Sequence, residues 1–332
     1  MKISTIEKKL VYFKFWGNDY TWYIYTLKIL GYILTGFYYV ATFFNKKKTK
    51  YFNKKVNFFV LQRNKQIETW NKPKNDAFNK KFLKQDRYDF NGIFLPKVEN
   101  TYLMNTVYDD TLKVYTEYGD NYSYTIVDEL EKKLPEGTYC YIGKNGEDIT
   151  IKNGYTVIDA GAWVGDFSAY AAKKGAHVYA FEPSPFNINL LQKTIEFNKN
   201  TEGSITIVPL GLGEKEEILD FYENDEEGNT GGNSFNIQKG NGNTKLKITT
   251  LDIWAQKNEI KKIDFIKSDI EGYERHLLRG ATTILKEHEP VLSICTYHLP
   301  DDKEILKKII LEANPAYTIL QRKMKLFAFV KK

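Results

Sequence analysis

Residues 157–165, VIDAGAWVG, constrain this chain more than any other stretch. A short apolar run ends on an acid, Asp159, and turns at once through Gly161. A run of that length, bounded by a glycine turn, reads as a buried strand. Gly161 permits the tight turn, and Gly165 permits close approach near the next helix, because neither carries a Cβ. Ligands of open α/β sheets sit beyond the carboxyl ends of the strands, so this loop is placed to hold one.

The pattern around it repeats. Strands are predicted over residues 156–159, 177–181, 205–208, 264–268 and 291–296, with an extra strand over 218–222. Helices are predicted over 166–174, 185–198, 273–286 and 301–313, the first stopped by Gly175. Segments 317–320 and 326–330, separated by Gln321-Arg322-Lys323, read as a closing hairpin. Alternating strands and helices imply an α/β sheet of Rossmann-like type, covered on both faces. The hairpin implies one antiparallel strand at its edge. A closed barrel would need more regular strand–helix units than the chain holds.

The loop departs from the dinucleotide fingerprint G-x-G-x-x-G, because Asp159 fills the place of the first glycine. A pyrophosphate favours backbone N–H groups and a positive helix terminus. S-adenosylmethionine carries no phosphate, and its ammonium and sulfonium are positive. A carboxylate beside the turn suits that cofactor better. Glu182 closes the second strand, 21 residues after Gly161. Such an acid can accept both hydroxyls of a ribose, in NAD or in S-adenosylmethionine. Ser184 opens the following helix region, and Leu210, in the outgoing loop 209–212, is expected to pack on the adenine. A turn cap at Asp159 and a surface acid at Glu182 are the plainer readings.

A second constellation lies at the end of the fourth strand, KSDIEGYE over 267–274. Asp269, Glu271 and Glu274 surround a glycine turn at a helix start, where acids also serve simply as caps. His298 follows the fifth strand in CTYH. Asp269 and His298 should therefore face one cleft, with either able to take a proton from a hydroxyl. Asp269, Glu271 and His298 are the catalytic candidates. A divalent ion held by those three is chemically possible. The spacing does not demand it, and no metal is predicted. His298 as a cap or cleft wall is an equally weighted reading. His177, His276 and His288 show no comparable convergence.

The chain has a surplus of positive charge at one end. Residues 1–100 hold 20 Lys/Arg against 7 Asp/Glu. A solvated basic face is the plain reading, and an anionic partner the other. Residues 21–44 form a largely apolar segment whose single charge is Lys28, and they precede Lys46, Lys47, Lys48 and Lys50. Such a segment suits packing on protein, a homo-oligomer contact or a peripheral membrane contact. Residues 54–70 fit a helix, 71–91 a Lys-rich loop joined to a short helix, and 102–124 strands. A short helix over 126–134 and a hairpin of 139–142 with 148–151 follow. The chain thus divides into an accessory region, 1–135, and a cofactor-binding domain, 136–332. Cys140 and Cys295 form neither a disulfide framework nor a zinc site, which fits the cytoplasm. The polar insertion 226–234 suits a lid or a plain mobile loop.

Taken together, VIDAGAWVG, FEPSP, TTLDIW, KSDIEGYE and PVLSICTYH resemble the FkbM-type methyltransferases. The resemblance runs from about residue 137 to 330. It implies a class I, Rossmann-like methyltransferase fold with the last strand antiparallel, S-adenosylmethionine as cofactor, and transfer to a hydroxyl of a sugar, glycan or small-molecule natural product. By the same resemblance Asp159, Gly161 and Gly165 form the cofactor loop, Glu182 holds the ribose, and residues 269–272 line the reaction mouth. Trp163 stands where many relatives have Asn. A catalytically inactive binding or scaffold protein on the same fold is the alternative. An NAD-dependent oxidoreductase is disfavoured by the absent first glycine. No nucleic-acid partner is expected, since no recognition module is present.

Overall fold

The computed structural model describes residues 79–97 (Lys81 and Asn91 aside), 139–142, 147–221, 244–322 and 324–331. These all lie within one compact unit, Asn71–Lys332. The expectations for 21–44, 54–70, 102–124, 126–134 and 226–234 fall outside the described residues.

Three short strands come first: β1 (Leu83–Lys84), β2 (Arg87–Asp89) and β3 (Phe94–Pro96). A small hairpin, β4 (Tyr141–Ile142) with β5 (Asp148–Ile149), follows. The regular alternation then begins. It runs β6 (Thr156–Ala160), α1 (Asp166–Lys173), β7 (His177–Phe181), α2 (Pro185–Phe197) and β8 (Ser204–Val208). A side sheet is built from β9 (Gly211–Leu212), β10 (Glu217–Phe221) and β11 (Thr244–Thr249). The chain returns through α3 (Leu251–Lys257), β12 (Phe265–Ser268), α4 (Glu274–Arg279), α5 (Thr282–Glu287) and β13 (Val291–Cys295). It closes with α6 (Asp302–Ala313), β14 (Tyr317–Arg322) and β15 (Lys325–Val330).

Seven strands form the main sheet in the order β14-β15-β13-β12-β6-β7-β8. Both neighbours of β15 run antiparallel to it, while β13-β12-β6-β7-β8 are parallel. The antiparallel strand is therefore one place in from the edge, not at the edge as the hairpin alone suggested. β15 pairs with β13 as well as with β14, and so buries its apolar run on both flanks.

Side chains alternate across the sheet. Val157 and Val178 point to one face, where Phe167, Ala169 and Tyr170 of α1 cover them. Ile158 and Phe181 point to the other, under Trp254, Leu277, Leu285 and Leu306. Helix α6 shows how the second cover is made. Its buried Asp302, Leu306, Ile309 and Ile310 recur at three- and four-residue spacing, one stripe of the helix.

Two expectations are corrected. The helix expected over 273–286 is two, α4 and α5, broken at Gly280–Ala281. A Cβ on Gly280 would stand 1.9 Å from the Gly213 carbonyl oxygen, so that glycine is set by a close backbone approach. The segment expected to be a loop joined to a short helix over 71–91 is helical at residues 79, 80 and 82, but then adds the unexpected strands β1 and β2. Tyr88, Phe90 and Leu95 from this region join the α1-side core, and Asn198, just past α2, hydrogen-bonds both backbone groups of Phe94.

Candidate active site

Strand β6 is where the connection reverses direction. The chain leaves it toward β7 and β8 on one side, then returns to its other side at β12. Crevices in open sheets form at such points, beyond the strand ends. A cleft of about 530 Å³, its open mouth included, lies there. Gly161, Trp163, Glu182, Leu210, Asp269 and Glu271 are among the residues that line it.

The β6–α1 loop is held from below. Gly161 has φ +74, and a Cβ there would stand 2.0 Å from the Asp269 carbonyl oxygen. Only glycine lets this loop meet the end of β12. Lys267 on β12 sits opposite Asp159 in register. Its Nζ lies 2.9 Å from Asp159 Oδ1 and donates to the Gly161 carbonyl oxygen at 2.7 Å. The Ser168 hydroxyl donates to Asp159 Oδ2 at 2.6 Å. Burial works against the Lys267 charge, but Asp159, Asp269 and Asp166 raise its pKa above the ordinary lysine value. A buried lysine keeps its charge only with such partners.

Glu182 forms one wall of the cleft. Its Oε2 accepts from the Trp163 backbone N–H at 2.8 Å, and its Oε1 from the Ser184 N–H at 2.9 Å. The Asn187 side-chain amide donates to Oε1 at 3.3 Å. Burial pushes this carboxyl up to about 7, against those donors. Trp163 reaches Glu182 by adopting φ +51, so the departure from Asn at this position leaves the backbone contact intact.

The opposite wall is ionic. Asp269 Oδ2 accepts from the Tyr139 hydroxyl at 2.7 Å and Oδ1 from the Tyr297 hydroxyl at 3.1 Å. The His298 imidazole, 3% exposed, stands among three acids. Its Nε2 is 3.4 Å from Asp269 Oδ1 and 3.5 Å from Glu271 Oε1, and its Nδ1 is 3.0 Å from Glu274 Oε1. Burial opposes the His298 charge, but Glu271, Glu274 and Asp269 overcome it and carry the pKa to about 10. Burial likewise opposes ionisation of Asp269, yet His298, Lys267 and Lys325 pull it down to about 2.

The structure thus brings Gly161, Glu182, Leu210, Asp269 and Glu271 to one cleft, with His298 directly behind the two acids. It does not bring Asp159, Gly165 or Ser184 to the cleft surface. Asp159 is fully buried against Lys267 and Ser168. Gly165, at φ +84, makes room for Leu191 and Thr194 of α2. Ser184 caps α2 and hands its N–H to Glu182. Sequence reasoning passed over Lys267, Asn187, Tyr139 and Tyr297. For Lys267 a signal was present: a lone charge inside the buried run FIKS demands partners.

This sheet, with its last strand inserted antiparallel and its cleft at the β6 reversal, defines a class I, Rossmann-like methyltransferase fold. Residues 159–318 match the model of the methyltransferase FkbM domain, and this part of the chain is an FkbM-family methyltransferase domain. The hexuronic acid methyltransferase AglP of Haloferax volcanii is 25% identical over 156 residues, which are 47% of this chain and 61% of that protein. The chain thus spans less than two thirds of that relative's length. Among solved structures, the methyltransferase FkbM from Methylobacillus flagellatus superposes with a TM-score of 0.42 at 20% identity, over 79% of this chain and 59% of that one. Trm5b from Pyrococcus abyssi superposes with a TM-score of 0.36 at 16% identity, over 73% and 54%. Among the described residues no helix is long and apolar enough to cross a membrane.

Proposed function

We propose that this chain is an S-adenosylmethionine-dependent O-methyltransferase whose acceptor is a hydroxyl on a sugar, a glycan or a small-molecule natural product. The observation that carries the reading is the cleft itself. It sets a buried acid with backbone-fixed oxygens, Glu182, across from an ionised acid, Asp269. The name of the Haloferax volcanii relative favours a sugar, and within that class a hexuronic acid.

The residues fit the cofactor. Glu182 would accept the ribose hydroxyls, its orientation held by Trp163, Ser184 and Asn187. Leu210 offers an apolar wall for the adenine, and Gly161 leaves the loop free of a side chain where the cofactor would pass. Asp159 and Lys267 act from beneath as positioning residues, since they brace the loop without reaching the cleft. Bound S-adenosylmethionine supplies a methyl group already activated by its sulfonium charge. Asp269, at the mouth, is the group that receives the acceptor's proton. His298 is already protonated at neutral pH in this arrangement, so it steadies Asp269 and Glu271 and does not act as the base. An acid held near 2 is a weak base, and orientation must therefore supply much of the rate.

Calorimetry tests the cofactor half. Wild type should bind S-adenosylmethionine, and Glu182→Ala should bind it about 10- to 100-fold more weakly, the loss of hydrogen bonds to a charged group. Equal affinity in the two would overturn the ribose assignment. For the acceptor, methyl transfer to a hexuronic acid glycoside should exceed transfer to the corresponding neutral hexoside. The reverse order would reject the hexuronic acid preference.

A further inference from the structure

Glu271, Asp269 and His298 are arranged for more than a hydrogen-bonded charge cluster. We propose that they form a binding site for one divalent first-row transition ion, with the tetrahedral donor spacing of Zn²⁺ and with Mn²⁺ as a spectroscopic stand-in, at the acceptor mouth of the cleft.

The distances carry the argument. A charge-assisted N–H···O bond closes to about 2.7–2.9 Å. His298 Nε2 instead stands nearly equidistant from Asp269 Oδ1 and Glu271 Oε1, at 3.4 and 3.5 Å. Those separations are too long for good hydrogen bonds. They equal the edges of a tetrahedron around an ion with bonds of about 2.0–2.2 Å, which come to about 3.3–3.6 Å. All three donor atoms lie within 4.8 Å of one another.

An independent observation comes from His298. Its side chain is 3% exposed, and its Nε2 has no hydrogen bond of normal geometry. A buried imidazole in that condition is unusual, since buried polar atoms are nearly always satisfied. Its Nε2 points into the space between the two acids. On the far side of the ring, Nδ1 faces Glu274 Oε1 at 3.0 Å. Glu274 is fully buried, and its two oxygens accept from the backbone N–H groups of Ile270 and Gly272. A carboxylate fixed behind a ligating histidine is the usual outer support of a metal site.

Glu274, His298 and Asp302 also converge, but both Glu274 oxygens serve the backbone and Asp302 is held by Arg275 and the Leu299 N–H. Only the first triad lies beside the cleft, through Asp269 and Glu271. Two carboxylates and one imidazole are a mixed oxygen and nitrogen set, which suits Mn²⁺ or Zn²⁺ better than a thiolate-seeking ion. The fourth position faces the cleft, where it would take water or an acceptor hydroxyl. This last point alone rests on the methyltransferase reading. An ion there would displace the proton from His298 Nε2 and would acidify a hydroxyl bound at that fourth position.

The test uses the 332-residue chain, untagged and stripped with chelator, titrated with Mn²⁺ while the paramagnetic resonance of the free ion is recorded. One Mn²⁺ per chain should bind, and Zn²⁺ should compete with it. Glu271→Gln should weaken binding at least 10-fold, and Glu274→Gln, which removes only the outer support, about 10- to 100-fold. No binding of Zn²⁺ or Mn²⁺ at millimolar concentration would overturn the site, and binding unchanged in Glu271→Gln would mean an adventitious ion only and would overturn it as well. Calorimetry with S-adenosylmethionine in the same samples reports separately. If the cofactor fails to bind while Mn²⁺ binding responds to both variants, the ion site stands and the methyltransferase reading falls.

Discussion

The two walls of the cleft use the same chemical group in opposite ways. Glu182, buried, and Asp269, partly buried, are both carboxylates at the ends of parallel strands. Glu182 faces mostly neutral donors, two backbone N–H groups and one amide, and burial wins, pushing it up to about 7. Asp269 faces His298, Lys267 and Lys325, and charge wins, holding it at about 2. Neighbours, not residue type, decide the protonation state. One wall suits hydroxyl recognition and the other the development of charge.

The strongest way to break this contrast is to remove the charge from one wall only. Asp269→Asn should lower turnover about 10²- to 10⁴-fold, the range expected for loss of a proton acceptor. Its S-adenosylmethionine affinity should stay within about threefold of wild type, a split that initial-rate kinetics and calorimetry resolve. A parallel loss of both would mean that the walls do not act separately. Next in size is the brace between them. Lys267→Met strands Asp159 as a buried, half-compensated charge, and should cost about 3–5 kcal/mol in urea unfolding. A loss below about 1 kcal/mol would show that the loop does not depend on this pair.

The smallest effect sharpens the Glu182 side. Its folded pKa lies above the ordinary 4.5, at about 7. The native state therefore holds this proton more tightly than the unfolded chain does. That stabilisation is fully present below about pH 4.5 and is lost as pH rises through 7. Glu182→Gln cannot lose it. Relative to wild type, the variant should gain unfolding free energy from about pH 5 to pH 7 and then level off, by on the order of 3 kcal/mol at most. A difference that stays flat with pH would show that Glu182 is ionised throughout.

Local physics explains how much of this was legible beforehand. The segments β6, α1, β7, α2 and β8 stand close to their expected places, because buried parallel strands, a glycine stop and a Ser-Pro helix start are signals carried by neighbouring residues. Strands β1 and β2 carry no such signal. They have two and three residues, and what fixes this region is Asn198, about a hundred positions away. The break at Gly280 depends on Gly213, also remote in sequence. The same limit governs the cleft. Asp269, Glu271 and His298 could be named because each follows a recognisable strand. Tyr139 and Asn187 could not, since their partners Asp269 and Glu182 are chosen by the fold. Asp159 shows the opposite error: its position was plain, but the direction of its side chain, toward Lys267, was not.

The place of β15 in the sheet has a consequence for synthesis. It lies between two strands made before it, β13 and β14. Until β15 leaves the ribosome, β13 has an open edge and β14 has no strand to pair with in the sheet. Open apolar edges are templates for association with other chains. Most of the cleft's residues are thus translated while half of the sheet behind them is still unfinished, and a nascent chain that stalls before residue 325 is the form most exposed to aggregation.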